Sequence, residues 1–155
     1  MGEIVIHVGD PRDDDVRALL DRHLTFAFET TPPEDVHALD LDGLLDPALT
    51  FFAARADGEL VGIGALKHLD AEHAELKSMH TASEARGRGV GRAIVAHLVA
   101  VARDRGYRRI SLETGSTDAF EPARALYASA GFEPSGPYAD YPDSPNSTFM
   151  TLQIG

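Results

Sequence analysis

The 155-residue sequence predicts one domain, spanning residues 1–155, of the α/β class and more closely α+β, with helices and strands interleaved around a mixed sheet. Three observations carry this. Apolar residues switch along the chain between alternate and helical spacing. Asp57-Gly58 between two apolar runs is a hairpin signal and demands an antiparallel pair. The strand expected at 74–81 carries Glu75, Lys77 and Ser78, where a strand inside an all-parallel sheet would be almost continuously apolar. At this length the chain can bury one sizeable core, not two.

Ile4, Val5, Ile6 and Val8 predict an opening strand. Asp10-Pro11 and three further aspartates then supply caps and first-turn acids for a helix carrying Val16, Leu19, Leu20, Leu24 and Phe28, ended by Thr30-Thr31-Pro32-Pro33. A shorter helix is expected from Glu34, with Leu39, Leu41, Leu44 and Leu45 near its end and Asp46-Pro47 as its stop. Leu49 to Ala56 and Leu60 to Leu66 are the two hairpin strands. In the strand Ala74 to Thr81, alternation puts Glu75, Lys77 and Met79 on one face and Leu76, Ser78 and His80 on the other. Val90, Ile94, Leu98 and Val101 recur at helical spacing, and Arg103, Arg105 and Gly106 supply cations and a cap at the helix end. Arg109 to Thr114 is the next strand, with Ile110 and Leu112 opposite Ser111 and Glu113. Pro122 fits the first turn of a helix through Ala123, Leu126, Tyr127 and Ala130 that stops at Gly131. Phe132 resumes a strand, and a proline-rich loop from Pro134 to Pro145 leads into a last strand from Phe149 to Ile154.

The formal charge is −11, yet Arg86, Arg88, Arg92, Arg103, Arg105, Arg108 and Arg109 are seven of the fourteen basic residues and share their stretch with one acid, Asp104. An acidic body disfavours nucleic acid and anionic membrane as partners, while a local basic island suits a compact polyphosphate. There is no cysteine, so disulfides, thiolate metal sites and a cysteine nucleophile are excluded. No signal-like terminus or membrane-length apolar run is present, and a cytoplasmic location is expected. His68 and His73 lack the spacing of a zinc site, so no metal is expected.

The run Arg86-Gly87-Arg88-Gly89-Val90-Gly91-Arg92 joins a strand to a helix start. Unpaired amides at the positive end of a helix dipole, with arginines beside them, make a phosphate cradle. A nucleoside-triphosphate loop would need Lys-Ser/Thr after the last glycine, and Gly91 is followed by Arg92-Ala93. Glu113, about twenty residues on, resembles the ribose acid of a dinucleotide fold. Against that fold stand the Gly-x-Gly-x-Gly spacing and the polar strand before the turn.

Two blocks together resemble the GCN5-related N-acetyltransferase (GNAT) superfamily. Met79 to Gly91 is similar to its acetyl-CoA signature, and Ala125-Leu126-Tyr127-Ala128-Ser129-Ala130-Gly131-Phe132 to its Leu-Tyr-x-x-x-Gly-Phe block. The resemblance covers nearly the whole chain. His37-Ala38-Leu39-Asp40-Leu41, Leu112-Glu113-Thr114-Gly115 and Asn146-Ser147-Thr148-Phe149-Met150 further resemble a bacterial branch of small-molecule acetyltransferases whose substrates are largely unassigned. It implies a mostly antiparallel central sheet, flanked by about four helices and splayed around acetyl-CoA as cosubstrate.

By this resemblance the amides of Arg86, Gly87, Arg88, Gly89, Val90, Gly91 and Arg92 hold the pyrophosphate. Main-chain groups near Met79, His80 and Thr81 pair with pantetheine and polarise the thioester carbonyl. Tyr127 matches the family tyrosine beside the coenzyme sulfur and serves as general acid, because a phenol stays protonated at neutral pH. Glu75, on the strand before the glycine turn, is the leading general base. It could equally be an exposed strand acid paired with Lys77. Glu113 could face the same cleft and bind an ammonium group or relay its proton, with His80 and His73 as alternative bases. His37 and the connection from Glu29, with the loop from Tyr138 to Ser147, are expected to shape the acceptor pocket. Phe120 stands where many members carry an asparagine seven residues before the tyrosine, so that contact is absent or supplied by Ser116 or Thr117.

Two readings follow. One is an acetyl-CoA-dependent N-acetyltransferase acting on a small-molecule primary amine by direct transfer in a ternary complex, with a homodimer compatible with it; a protein amino group is the variant acceptor. The other is a GNAT-like domain that binds or senses acyl-CoA without turnover.

Overall fold

A computed structural model describes residues 2–155. Seven strands form one sheet: β1 (Ile4–Val8), β2 (Leu49–Ala56), β3 (Glu59–His68), β4 (His73–Thr81), β5 (Arg109–Gly115), β6 (Glu133–Ser135) and β7 (Ser147–Gln153). Their order is β1-β2-β3-β4-β5-β7-β6, and every neighbouring pair is antiparallel except β4 with β5. Four helices are formed among the described residues: α1 (Asp14–Thr30), α2 (Leu41–Leu44), α3 (Val90–Asp104) and α4 (Glu121–Ser129).

The hairpin forms where Asp57-Gly58 placed it. Both turn residues have left-handed φ, +53° and +81°, as a two-residue turn matching strand twist requires. In α1, Val16, Leu19, Leu20 and Ala27 are buried. Phe28 stands just off this stripe and is 55% exposed, contrary to the expected core position. Asp13 occupies the N-cap position without a side-chain cap bond; Asp10 instead binds Arg12. The helix expected from Glu34 does not form as one piece. A single 3₁₀ turn at Pro33–Asp35 is followed by extended chain and the four-residue α2, capped when the Asp40 carboxylate accepts from the Gly43 amide at 3.0 Å. The apolar spacing there was too short to sustain a longer helix.

Two features position the cleft. β4 and β5 are paired only from His73 with Arg109 to Leu76 with Leu112, after which the strands part. Further along β4, the register with β3 shifts between Ile63 and Ala65, and Ser78 takes a left-handed φ of +57°. This bulge reverses the expected alternation. Met79 turns to the α3 face, where its sulfur lies against Gly64 with Ile94 and Leu98, while His80 meets His23 of α1 on the opposite face. Gly62 and Gly64 have no Cβ because Val90, Ile94 and Leu98 of α3 occupy that space. The close approach seats the start of α3 beside the opening between β4 and β5.

Candidate functional site

A cavity of about 730 Å³ opens where β4 and β5 part. Its wall takes in Met79, His80 and Thr81 of β4, Arg86, Gly87, Gly89, Val90, Gly91 and Arg92 of the glycine turn, and Glu113 and Tyr127. His37 lines it as well. Among the expected site residues, Arg88 and Glu75 are not on this wall.

The glycine turn has the geometry of an anion cradle. Gly87 and Gly89 have φ of +76° and +82°, and a Cβ on either would meet nothing within 4 Å. Gly89 is the N-cap of α3 and offers no side chain to its first amides. Those orphan donors belong to residues that line the cavity, at the positive end of the dipole. Gly91 has a different reason to be glycine: a Cβ would lie 2.9 Å from Leu126 of α4, so it packs the two helices together. The residues present therefore fit a pyrophosphate.

Tyr127 is held on α4 by edge contact with Phe132, centroids 6.0 Å apart. Burial, and then the nearby Glu113 charge, push its phenol pKa above the ordinary value, so it stays protonated. Glu113 and Asp35 are the acids on the cavity wall, and Asp35 is engaged by Asn146. Burial pushes the Glu113 carboxyl up to about 7, opposed by the nearby Ser147 hydroxyl and then by the Lys77 charge. A carboxyl poised there can take a proton near neutrality.

Glu75 lies behind the wall, 2% exposed. Its Oε2 accepts from the Tyr138 hydroxyl at 2.6 Å and the Tyr141 hydroxyl at 2.5 Å, with Lys77 Nζ at 3.5 Å. Lys77 also donates to the Tyr141 hydroxyl at 2.6 Å, and burial lowers its pKa. The carboxylate thus latches the loop between β6 and β7 onto the sheet. His37 stacks edge-on against Tyr141 at 4.9 Å, with its Nε2 buried and unpartnered, and burial lowers its pKa. Asn146 donates to Asp35 at 2.9 Å, tying the start of β7 to the connection after α1. His73 donates to, or accepts from, Ser111 Oγ at 2.7 Å and does not line the cavity.

Two features escaped the sequence reading. His23 of α1 reaches His80 with Nδ1 to Nδ1 3.1 Å apart, and burial lowers both pKa values to about 4, so both rings are neutral and share one proton in that bond. Phe26 of α1 meets Phe120 edge to face at 5.1 Å and 61°, and both line the cavity. Helical spacing marked α1 as a core helix, and nothing local to the chain tells which of its residues the cleft will meet. Among the described residues, no group of three or more His, Asp or Glu side chains is placed to hold a metal, and no helix is long and apolar enough to cross a membrane.

The family model for the Acetyltransferase (GNAT) family matches residues 14–132. The chain is 45% identical over 149 residues to the uncharacterized N-acetyltransferase YsnE of Bacillus subtilis, covering 96% of this chain and 99% of that protein. A Klebsiella pneumoniae structure assigned as an acyl-CoA N-acyltransferase superposes with a TM-score of 0.83 at 30% identity, covering 98% of both chains. A Bacillus subtilis acetyltransferase solved in complex with CoA shares the fold, with a TM-score of 0.73 at 18% identity and 98% and 99% coverage. With this splayed sheet and glycine turn, the chain belongs to the GNAT acetyltransferase family.

Proposed function

We propose that the protein transfers an acetyl group from acetyl-CoA to the primary amine of a small molecule, directly, with both substrates bound together. The observation that carries this reading is one continuous cavity that joins the open glycine turn to Glu113 and Tyr127. The amides from Arg86 to Arg92 hold the pyrophosphate, and the start of α3 faces it. The bulge at Ser78 frees main-chain donors of β4 beside the cleft, near Met79 and His80, where one can stabilise charge on the thioester oxygen. Glu113 takes the proton of the attacking amine; its carboxyl near 7 suits that role better than Glu75, whose reactive oxygen is occupied by two tyrosines. Tyr127, kept protonated by burial, gives its proton to the departing thiolate. No enzyme thiol can carry the acetyl group, because the sequence has no cysteine.

The test is release of free coenzyme thiol from acetyl-CoA against a panel of amines. Turnover with at least one small amine is expected, and Tyr127→Phe should lower kcat about 10²- to 10⁴-fold while acetyl-CoA affinity holds. Tight acetyl-CoA binding with no thiol release across the panel would instead support a binding or sensing domain. Unchanged turnover in Tyr127→Phe would remove that residue from the mechanism.

A further inference from the structure

We infer that the acceptor is a small amine carrying an apolar, planar group, as in an arylalkylamine, and that Phe26 and Phe120 bind that group while the amine lies at Glu113. The inference rests on the N-acetyltransferase reading above and names its substrate class.

Phe26 comes from α1 and Phe120 from the turn after β5, and the two rings meet edge to face on the cavity wall. Both side chains are half-buried and line the cavity, presenting aromatic surface to its interior. Phe120 is held in place rather than merely tolerated. A Cβ on Gly115 would fall within van der Waals overlap of its ring, so the ring lies directly on the strand end. Arg124 donates to the carbonyls of Gly115 at 2.8 Å and Thr117 at 2.9 Å, which fixes the loop carrying the ring. Such a rigid, partly exposed aromatic pair in a concave wall is the kind of surface that takes an apolar ligand group.

Two of the charged groups on the wall are already engaged. Asp35 accepts from Asn146, and Lys77 is bound to Tyr141 and paired with Glu75. Glu113 is left as the acid with a raised pKa facing the cavity. A wall with one such acid and an aromatic clamp matches a single amine on a short apolar arm. With Asp35 engaged by Asn146, it offers one unengaged carboxyl, too few for a polycationic acceptor.

The test compares 2-phenylethylamine, n-butylamine, spermidine and kanamycin by thiol release. It also measures 2-phenylethylamine binding to the CoA-loaded protein by calorimetry, which needs no turnover. The expected result is a kcat/KM for 2-phenylethylamine at least about 10-fold above the other three. Phe120→Ala and the milder Phe120→Leu should each raise its KM several-fold, with acetyl-CoA affinity within twofold of the parent. Preference for spermidine or kanamycin would overturn the inference. So would loss of acetyl-CoA affinity in Phe120→Leu with amine preference unchanged, since that places the pair on the coenzyme arm. If no amine turns over, the transferase reading fails, while the calorimetric arm still decides the inference: saturable binding weakened by Phe120→Leu supports it, and no binding overturns it.

Discussion

Replacing Glu113 by glutamine tests the proposed proton path most directly. The carboxyl titrates near 7 in the folded protein, so about a tenth is deprotonated at pH 6 and about nine-tenths at pH 8. A base works only when deprotonated. The parent kcat/KM, expressed per concentration of neutral amine, should therefore fall roughly tenfold as pH drops from 8 to 6. Glutamine keeps the shape and cannot accept the proton, so the rate should fall about 10²- to 10⁴-fold and the limb near pH 7 should vanish. Stability supplies a control of opposite sign. A carboxyl with raised folded pKa contributes stability that is fully present below its unfolded value of 4.5 and is lost as pH rises through about 7. Above pH 7 the glutamine protein should then melt at or above the parent temperature, so lost activity is not lost fold. Thiol release from pH 5.5 to 9 and thermal melts over the same range measure both. A flat parent profile between pH 6 and 8, or the same limb surviving in Glu113→Gln, would refute the assignment.

Gly89→Val should cost about 1–2 kcal/mol through its left-handed φ, lowering Tm by roughly 2–8 °C. It should also weaken acetyl-CoA binding about 10- to 100-fold by crowding the amides; Arg88→Ala, at an exposed side chain, should weaken it no more than about fivefold. Normal acetyl-CoA affinity in a folded Gly89→Val protein would displace the pyrophosphate from this turn. Glu75→Ala leaves Lys77 buried without its counter-charge and frees Tyr138 and Tyr141, so a loss of about 3 kcal/mol is expected. Chemical denaturation reads that loss, while Glu75→Gln should reduce turnover far less than Glu113→Gln. Because His23 and His80 have folded pKa values near 4, their contribution is present above the ordinary 6.5 and is lost as pH falls through 4. The decline of Tm over that window should be shallower in His23→Gln, and an identical slope would show that the pair does not titrate with folding.

How legible the site was depends on whether its signal is local. The hairpin at Asp57-Gly58, the cap at Gly106 with φ +86°, and the glycine turn before α3 follow from residues adjacent in the chain, and they stand where the sequence put them. Alternation in β4 placed Met79 beside Lys77. The bulge at Ser78 moved it to the opposite face, because an extra residue inverts the parity of everything after it. Glu75 and Glu113 were indistinguishable as two acids on neighbouring strands. Their environments separate them: two tyrosine hydroxyls from a loop more than sixty residues away cover one, and the cleft exposes the other.

By itself the sequence determined the family, the hairpin at Asp57-Gly58 and the glycine turn before α3, since glycine spacing and apolar periodicity are written in consecutive residues. Only the tertiary structure decided which carboxyl faces the cavity, that His23 pairs with His80, and that Phe26 and Phe120 meet on the cavity wall. Each of these depends on contacts between segments about sixty to ninety residues apart, and burial by such contacts sets both a side chain's pKa and the chemistry it can perform.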